Sequence, residues 1–228
     1  MGSTRARPAG RSLSALLTLV ALSLFAARDA PAHAAVSRAL FLETSASSTA
    51  RPDRIDAWAN RLDPIDVTTM GSHDVVSVRF YDRAGNVDDG ARAELERVAA
   101  GAVEAHGLSL RVERLLVKAA YHFGGARVVI VSGWRARAGR HGTGEAIDFK
   151  LQGVRASVLA AYLRELPRVG VGIYTHPKTQ FVHLDVRDPS FHWIDASPPG
   201  VKWRERQLGD AHAQERDASW TSDMDLPL

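Results

Sequence analysis

The sequence predicts an α+β fold in which an antiparallel sheet carries helices packed on one face. Three observations lead there. Runs of polar–apolar alternation, clearest at Ala146 to Leu151 and Phe181 to Arg187, read as half-buried strands. Stretches with apolar residues at helical spacing lie among them, at 89–104, 109–122 and 154–166. The links between these segments are short and hairpin-like, and strands mixed with helices in this way build a sheet covered by helices.

The chain opens with a stretch that reads as a secretory leader over residues 1–34. Arg5, Arg7 and Arg11 make a positive start, and Leu13 to Ala27 is apolar but too short to span a bilayer comfortably. Ala32-His33-Ala34 fits a small-x-small cleavage site. The mature protein is therefore expected to be exported, to the periplasm or to the extracellular space or cell envelope, as a monomer without stable membrane insertion. Four of the 29 basic residues and one of the 26 acidic residues lie in the leader, which leaves 25 of each. A neutral mature chain has no basic footprint for phosphate, so nucleic acid is not an expected partner. The apolar fraction of 45% and charged fraction of 24% are those of a soluble globular protein. With no cysteine, disulfides, a lipid-anchored cleavage box and thiolate metal sites are all excluded. Any metal must be held by histidine and carboxylate.

Residues 35–74 are weakly patterned and read as a lead-in segment. The main domain is expected over 75–200. It starts with a strand at Val75 to Tyr81, closed by the turn signal Asp82-Arg83-Ala84-Gly85-Asn86. Two helices follow; in the second, Leu110, Val112, Leu115, Leu116 and Ala119 recur at helical spacing. Arg127 to Val131 is a buried-type strand running into Ser132-Gly133-Trp134-Arg135. Next come the loop to His141, a strand at Ala146 to Leu151, the helix at Val154 to Leu166, and strands at Gly170 to Tyr174 and Phe181 to Arg187. Residues 201–228 are polar and tryptophan-containing and read as a tail, with Trp203 and Trp220 as docking residues.

The period of two in strands points to a metal. Ile147 and Phe149 share one face, which turns Asp148 to the other. Val182, Leu184 and Val186 share the core face, which aligns His183, Asp185 and Arg187 opposite. If the two strands are neighbours, Asp148 meets His183, and the turn His141-Gly142-Thr143-Gly144 brings a second imidazole. Two imidazoles, a carboxylate and an open position are the common plan of a catalytic zinc site. An aspartate between Ile147 and Phe149 would be costly to bury without a partner. Glu145 is turned away from Asp148 by the same alternation, and His33, His73, His106 and His122 show no partner pattern.

These strings together, Ser132-Gly133-Trp134-Arg135, His141 to Asp148, Gly170-Val171-Gly172-Ile173-Tyr174 and Phe181-Val182-His183-Leu184-Asp185, closely resemble the murein endopeptidase K-like family. That family lies in the D-Ala-D-Ala metallopeptidase group, whose sheet is shared by lysostaphin-type enzymes and the hedgehog signalling domain. The resemblance covers residues 105–195. It implies zinc on His141, Asp148 and His183, and an arginine beside the metal at Arg135 that holds a substrate carboxylate or carbonyl oxygen. It places an acid at Asp185, as general base or as a group orienting a ligand. The implied activity is an exported zinc metallopeptidase cutting peptidoglycan peptide cross-links. The alternatives are a zinc-containing domain that binds peptide or glycan without cutting, and a D-Ala-D-Ala carboxypeptidase.

The pattern departs from the family at the usual base position, three to five residues before the last ligand, where Lys178, Thr179 and Gln180 stand. His176, in a loop just upstream, is the other candidate for that role, and Trp193 for a cleft wall.

Overall fold

The computed structural model describes residues 58–100, 107–136, 139–201 and 205–227. The segment read as a leader therefore lies outside the described residues, as do His33, His106 and Trp203. In chain order the strands are β1 (Ile65–Thr69), β2 (Val76–Val78), β3 (Val128–Ser132), β4 (Ala146–Leu151), β5 (Val169–Tyr174), β6 (Phe181–Val186), β7 (Phe191–Asp195) and β8 (Arg206–Leu208). The helices are α1 (Asp89–Ala100), α2 (Leu110–His122), the single turn α3 (Gly139–Gly142), α4 (Ala156–Arg164) and α5 (Ala213–Ala218). No helix among the described residues is long and apolar enough to cross a membrane.

The helices begin and bury as their sequences dictate. Ser109 caps α2, its hydroxyl accepting from the Val112 amide at 3.4 Å. Val112, Leu115, Leu116 and Ala119 of α2 are buried in one core with Leu95 of α1 and with Leu159 and Leu163 of α4. Ile147 and Phe149 of β4 and Val182, Leu184 and Val186 of β6 belong to that same core. Asp148, His183 and Asp185 consequently occupy the other side of the sheet.

All eight strands form one sheet in the order β2-β1-β3-β4-β6-β5-β7-β8. The sheet is mixed, which corrects the wholly antiparallel expectation. β1 pairs parallel with β3, and β5 pairs parallel with β7. In both cases a hairpin's first strand, not its second, accepts the next strand of the chain. β3 returns to β1 after α1 and α2 have crossed the sheet. β7 returns to β5 because β4 already occupies the free edge of β6.

The sheet also runs past the expected limits of 75–200 at both ends. β1, from the stretch read as a lead-in, is an interior strand, and β8, from the tail, forms an edge. The C-terminal segment is held by buried carboxylates. Asp217 accepts from the amides of Arg168 and Ser190 at 2.5 and 2.7 Å, and Asp225 pairs with Arg111 at 2.9 Å. Trp220 docks as expected, its ring 4.8 Å from the Arg111 guanidinium and 4.9 Å from that of Arg168.

One buried acid in α2 makes stability depend on pH. Glu113 is fully buried and accepts from Arg92 Nε at 2.7 Å. Burial outweighs that contact and pushes its carboxyl from 4.5 up to about 7. The folded protein therefore holds this proton where the unfolded chain has lost it. The contribution is present in full below pH 4.5 and is lost as pH rises through 7. Denaturant titrations should show stability falling by about 3 kcal/mol across that window, and Glu113→Gln should flatten the fall.

Candidate metal centre

Three elements deliver the cluster. β4 and β6 are adjacent, with Asp148 and His183 as direct register partners. His141 arrives on α3, and the motif Ser132-Gly133-Trp134-Arg135 sets its orientation. The His141 Nδ1–H donates to the Gly133 carbonyl oxygen at 2.7 Å, which leaves Nε2 as the free donor atom. Gly133 is packed so tightly against the Ala99 carbonyl of α1 that a Cβ there would collide with it. Trp134 Nε1–H donates to the Gly142 carbonyl at 3.1 Å and ties the loop to the turn that carries His141.

The donor atoms face one another at coordination spacing. His141 Nε2 lies 3.2 Å from His183 Nδ1 and 3.4 Å from Asp148 Oδ1, and His183 Nδ1 lies 2.8 Å from Asp148 Oδ1. Ligands on a tetrahedral ion with bonds of about 2.1 Å stand about 3.4 Å apart. All three side chains are buried, so the cluster fits a metal ion in donor type, number and spacing. Among the described residues this is the metal-type grouping found.

Asp148 is held in its ionised form, the form that can ligate a cation. Burial alone would raise the Asp148 carboxyl, but hydrogen bonds and charge from His141 and His183 hold it well below the usual range. Burial would lower His183, yet its contacts with Asp148 and Asp185 win and raise it.

Asp185 stands behind the cluster. It is fully buried, with Oδ2 3.1 Å from His183 Nε2, the ring nitrogen turned away from the other ligands. Arg187 grips it from the far side, with Nε and Nη2 each 2.5 Å from a carboxylate oxygen. Burial pushes the Asp185 carboxyl up, and His183 and Arg187 together bring it below its ordinary value. Of the two roles open in the sequence, orienting the ligand matches this geometry: a carboxylate fixes the tautomer of a metal-binding histidine.

Arg135 reaches the near side, with Nη2 3.1 Å from Asp148 Oδ2 and about half of its side chain exposed. It lines an open cleft of about 370 Å³ beside the cluster. Tyr174, Phe191 and Trp193 also line this cleft, and the Trp193 ring lies 5.1 Å from that of His183.

The Gly-Val-Gly strand makes room for this arrangement. A Cβ on Gly172 would run into the Trp193 ring, and one on Gly170 into the Asp185 and Arg187 side chains. Gly172→Ala should therefore displace Trp193 from His183 and cost about 1–3 kcal/mol of stability. Thermal denaturation together with tryptophan fluorescence would reveal both effects.

The remaining sequence candidates fall outside the centre. His176 accepts the Lys178 amide at 3.2 Å within its own loop and does not line the cleft. Glu145 pairs with Arg140 at 3.1 Å. His192 is buried beside Asp210, with Nε2 3.2 Å from Oδ2, while His122 stacks on Tyr162. Arg140, Tyr174 and Glu205 line the cleft without having been anticipated from the sequence. Strand alternation assigns Arg187 to this face but gives it no task.

No curated protein and no solved structure gives a significant match to the chain. A family model does match, and the stretch it covers holds all three residues of the cluster together with Asp185. Residues 89–185 match the Peptidase M15 family, a family of metal-dependent peptidases, in keeping with a domain of the D-Ala-D-Ala metallopeptidase type.

Proposed function

We propose that this protein is an exported zinc peptidase that cuts the peptide cross-links of peptidoglycan. The observation that carries the reading is the buried His141, Asp148, His183 grouping inside the stretch that matches Peptidase M15. Two imidazoles and one carboxylate with a cleft beside them suit zinc with an open position. When bound there, the ion supplies Lewis acidity and lowers the pKa of a water.

The chain's own residues do the rest. Asp185, held by Arg187, keeps the His183 ring turned so that Nδ1 faces the cluster. Arg135 offers planar paired N–H groups to the carbonyl or carboxylate oxygen of the peptide, and stabilises the negative charge that develops on the carbonyl oxygen. Trp193 and Tyr174 wall the cleft and exclude water from one side. Export rests on the basic and apolar leader, and the cell-wall substrate on the resemblance of the site motifs.

The test is direct. Purified mature protein should hold one equivalent of zinc and release cross-link fragments from isolated peptidoglycan, read by mass spectrometry. Loss of terminal D-Ala alone would replace the endopeptidase reading with a carboxypeptidase. Stoichiometric zinc with no released fragment would favour a domain that binds without cutting. One feature speaks for that second reading: Gln180 occupies the usual base position before His183.

A further inference from the structure

The cleft is charged differently at its two ends. Its arginines already face carboxylates: Arg135 faces Asp148, while Arg187 and Arg140 both approach Asp185. Glu205, at the other end, lines the same cleft, is exposed, and makes no hydrogen bond or ion pair among the described residues.

Sheet register explains how a residue so late in the chain comes to face the site. Gly172 is the partner of both His183 and Trp193, and Trp193 is in turn the partner of Gln207. Continuing the β7–β8 register by two residues sets Glu205 opposite Asp195, which is itself the partner of Tyr174. Alternation then puts Tyr174, Asp195 and Glu205 on the same face as His183 and Trp193. Burial, followed by nearby negative charges that include Glu205 and Asp195, pushes the Tyr174 phenol up to about 12.

We propose that Glu205, with the rings of Tyr174 and Trp193, receives a positively charged amino group of the substrate, so that the site selects peptides bearing a primary ammonium. A carboxylate without a partner among the described residues attracts an ammonium through charge, and aromatic faces attract it through their quadrupoles. No other carboxylate lining the cleft is free for this, since Asp185 is fully committed to His183 and Arg187. Three strand spacings separate β6 from β8, about 14 Å between backbones. The ammonium therefore belongs at the end of a lysine-length side chain flanking the scissile bond, not on the atoms of the bond itself.

This inference rests on the peptidase reading, and the test separates the two. Two peptides of cell-wall stem type would differ only in whether the flanking lysine carries a free or an acetylated ε-amino group. Both kcat/KM and calorimetric Kd would be measured for the zinc-loaded protein and for Glu205→Gln. The wild type should favour the free amine by about tenfold, mainly through KM and Kd. That ratio should collapse to about one in Glu205→Gln and reverse in Glu205→Lys. A wild type without preference, or a ratio unchanged in Glu205→Gln, overturns the assignment. If neither peptide is cut but the Kd preference appears and vanishes in Glu205→Gln, the subsite stands and the peptidase reading falls. If both peptides are cut equally well by both proteins, the peptidase reading stands and the subsite falls.

Discussion

Replacing His183 with alanine should strip the protein of its metal and of its peptidase activity together. Two ligands, His141 and Asp148, would remain, one short of the three protein ligands that a catalytic site uses. The substitution would also leave two buried carboxylates, Asp148 and Asp185, without the imidazole that bridges them. Their mutual repulsion would disfavour the arrangement that the remaining ligands need. Metal affinity should fall by more than the 10–100-fold typical of losing an outer partner. Elemental analysis after dialysis should find less than about a tenth of an equivalent, as the loss of affinity implies. A variant that kept a full equivalent would remove His183 from the centre. His141→Ala should behave in the same way.

Arg187→Ala has the second largest expected effect, although Arg187 touches no ligand of the cluster. It grips Asp185 with two nitrogens, and Asp185 is fully buried. Removing the guanidinium would leave a buried carboxylate short of its main countercharge, at a cost of about 3 kcal/mol. Freed from that grip, Asp185 would hold His183 Nε2 less firmly, and metal affinity should drop about 10–100-fold. Arg187→Lys should fall between the two, because an ammonium cannot match a carboxylate with two parallel N–H groups. Chelator competition measures the affinity, and denaturant titration of the metal-free proteins measures the stability. If Arg187→Ala binds metal within twofold of the wild type, the chain from Arg187 through Asp185 to His183 has no bearing on the metal. Asp185→Asn separates an orienting role for that residue from a role as base. An orienting group lost there lowers metal affinity, whereas a lost base would lower turnover and leave affinity intact.

The parts of the centre legible in the sequence share one property: they follow from local periodicity. Asp148 between Ile147 and Phe149, and His183 between Val182 and Leu184, could be assigned to the face opposite the core from alternation alone. His141 could be added from its glycine-flanked turn. The role of Asp185 was not legible, because alternation sets a face but not which ring nitrogen of His183 the carboxylate meets. β1, β7 and β8 also escaped notice. β1 reads Ile-Asp-Val-Thr-Thr and β8 Arg-Gln-Leu, with too few apolar residues to show a period, and β7 mixes Phe191, His192 and Trp193 without clean alternation.

By itself, then, the sequence determined which side chains could share a face and which helices would cover the core, since both depend on neighbours a few residues away. Only the tertiary structure decided that β4 lies beside β6, that two of the pairings are parallel, and that the C-terminal segment folds back to bring Glu205 to the cleft. Strand partners are chosen by hydrogen bonds and burial between residues far apart in the chain, and no local pattern carries that information.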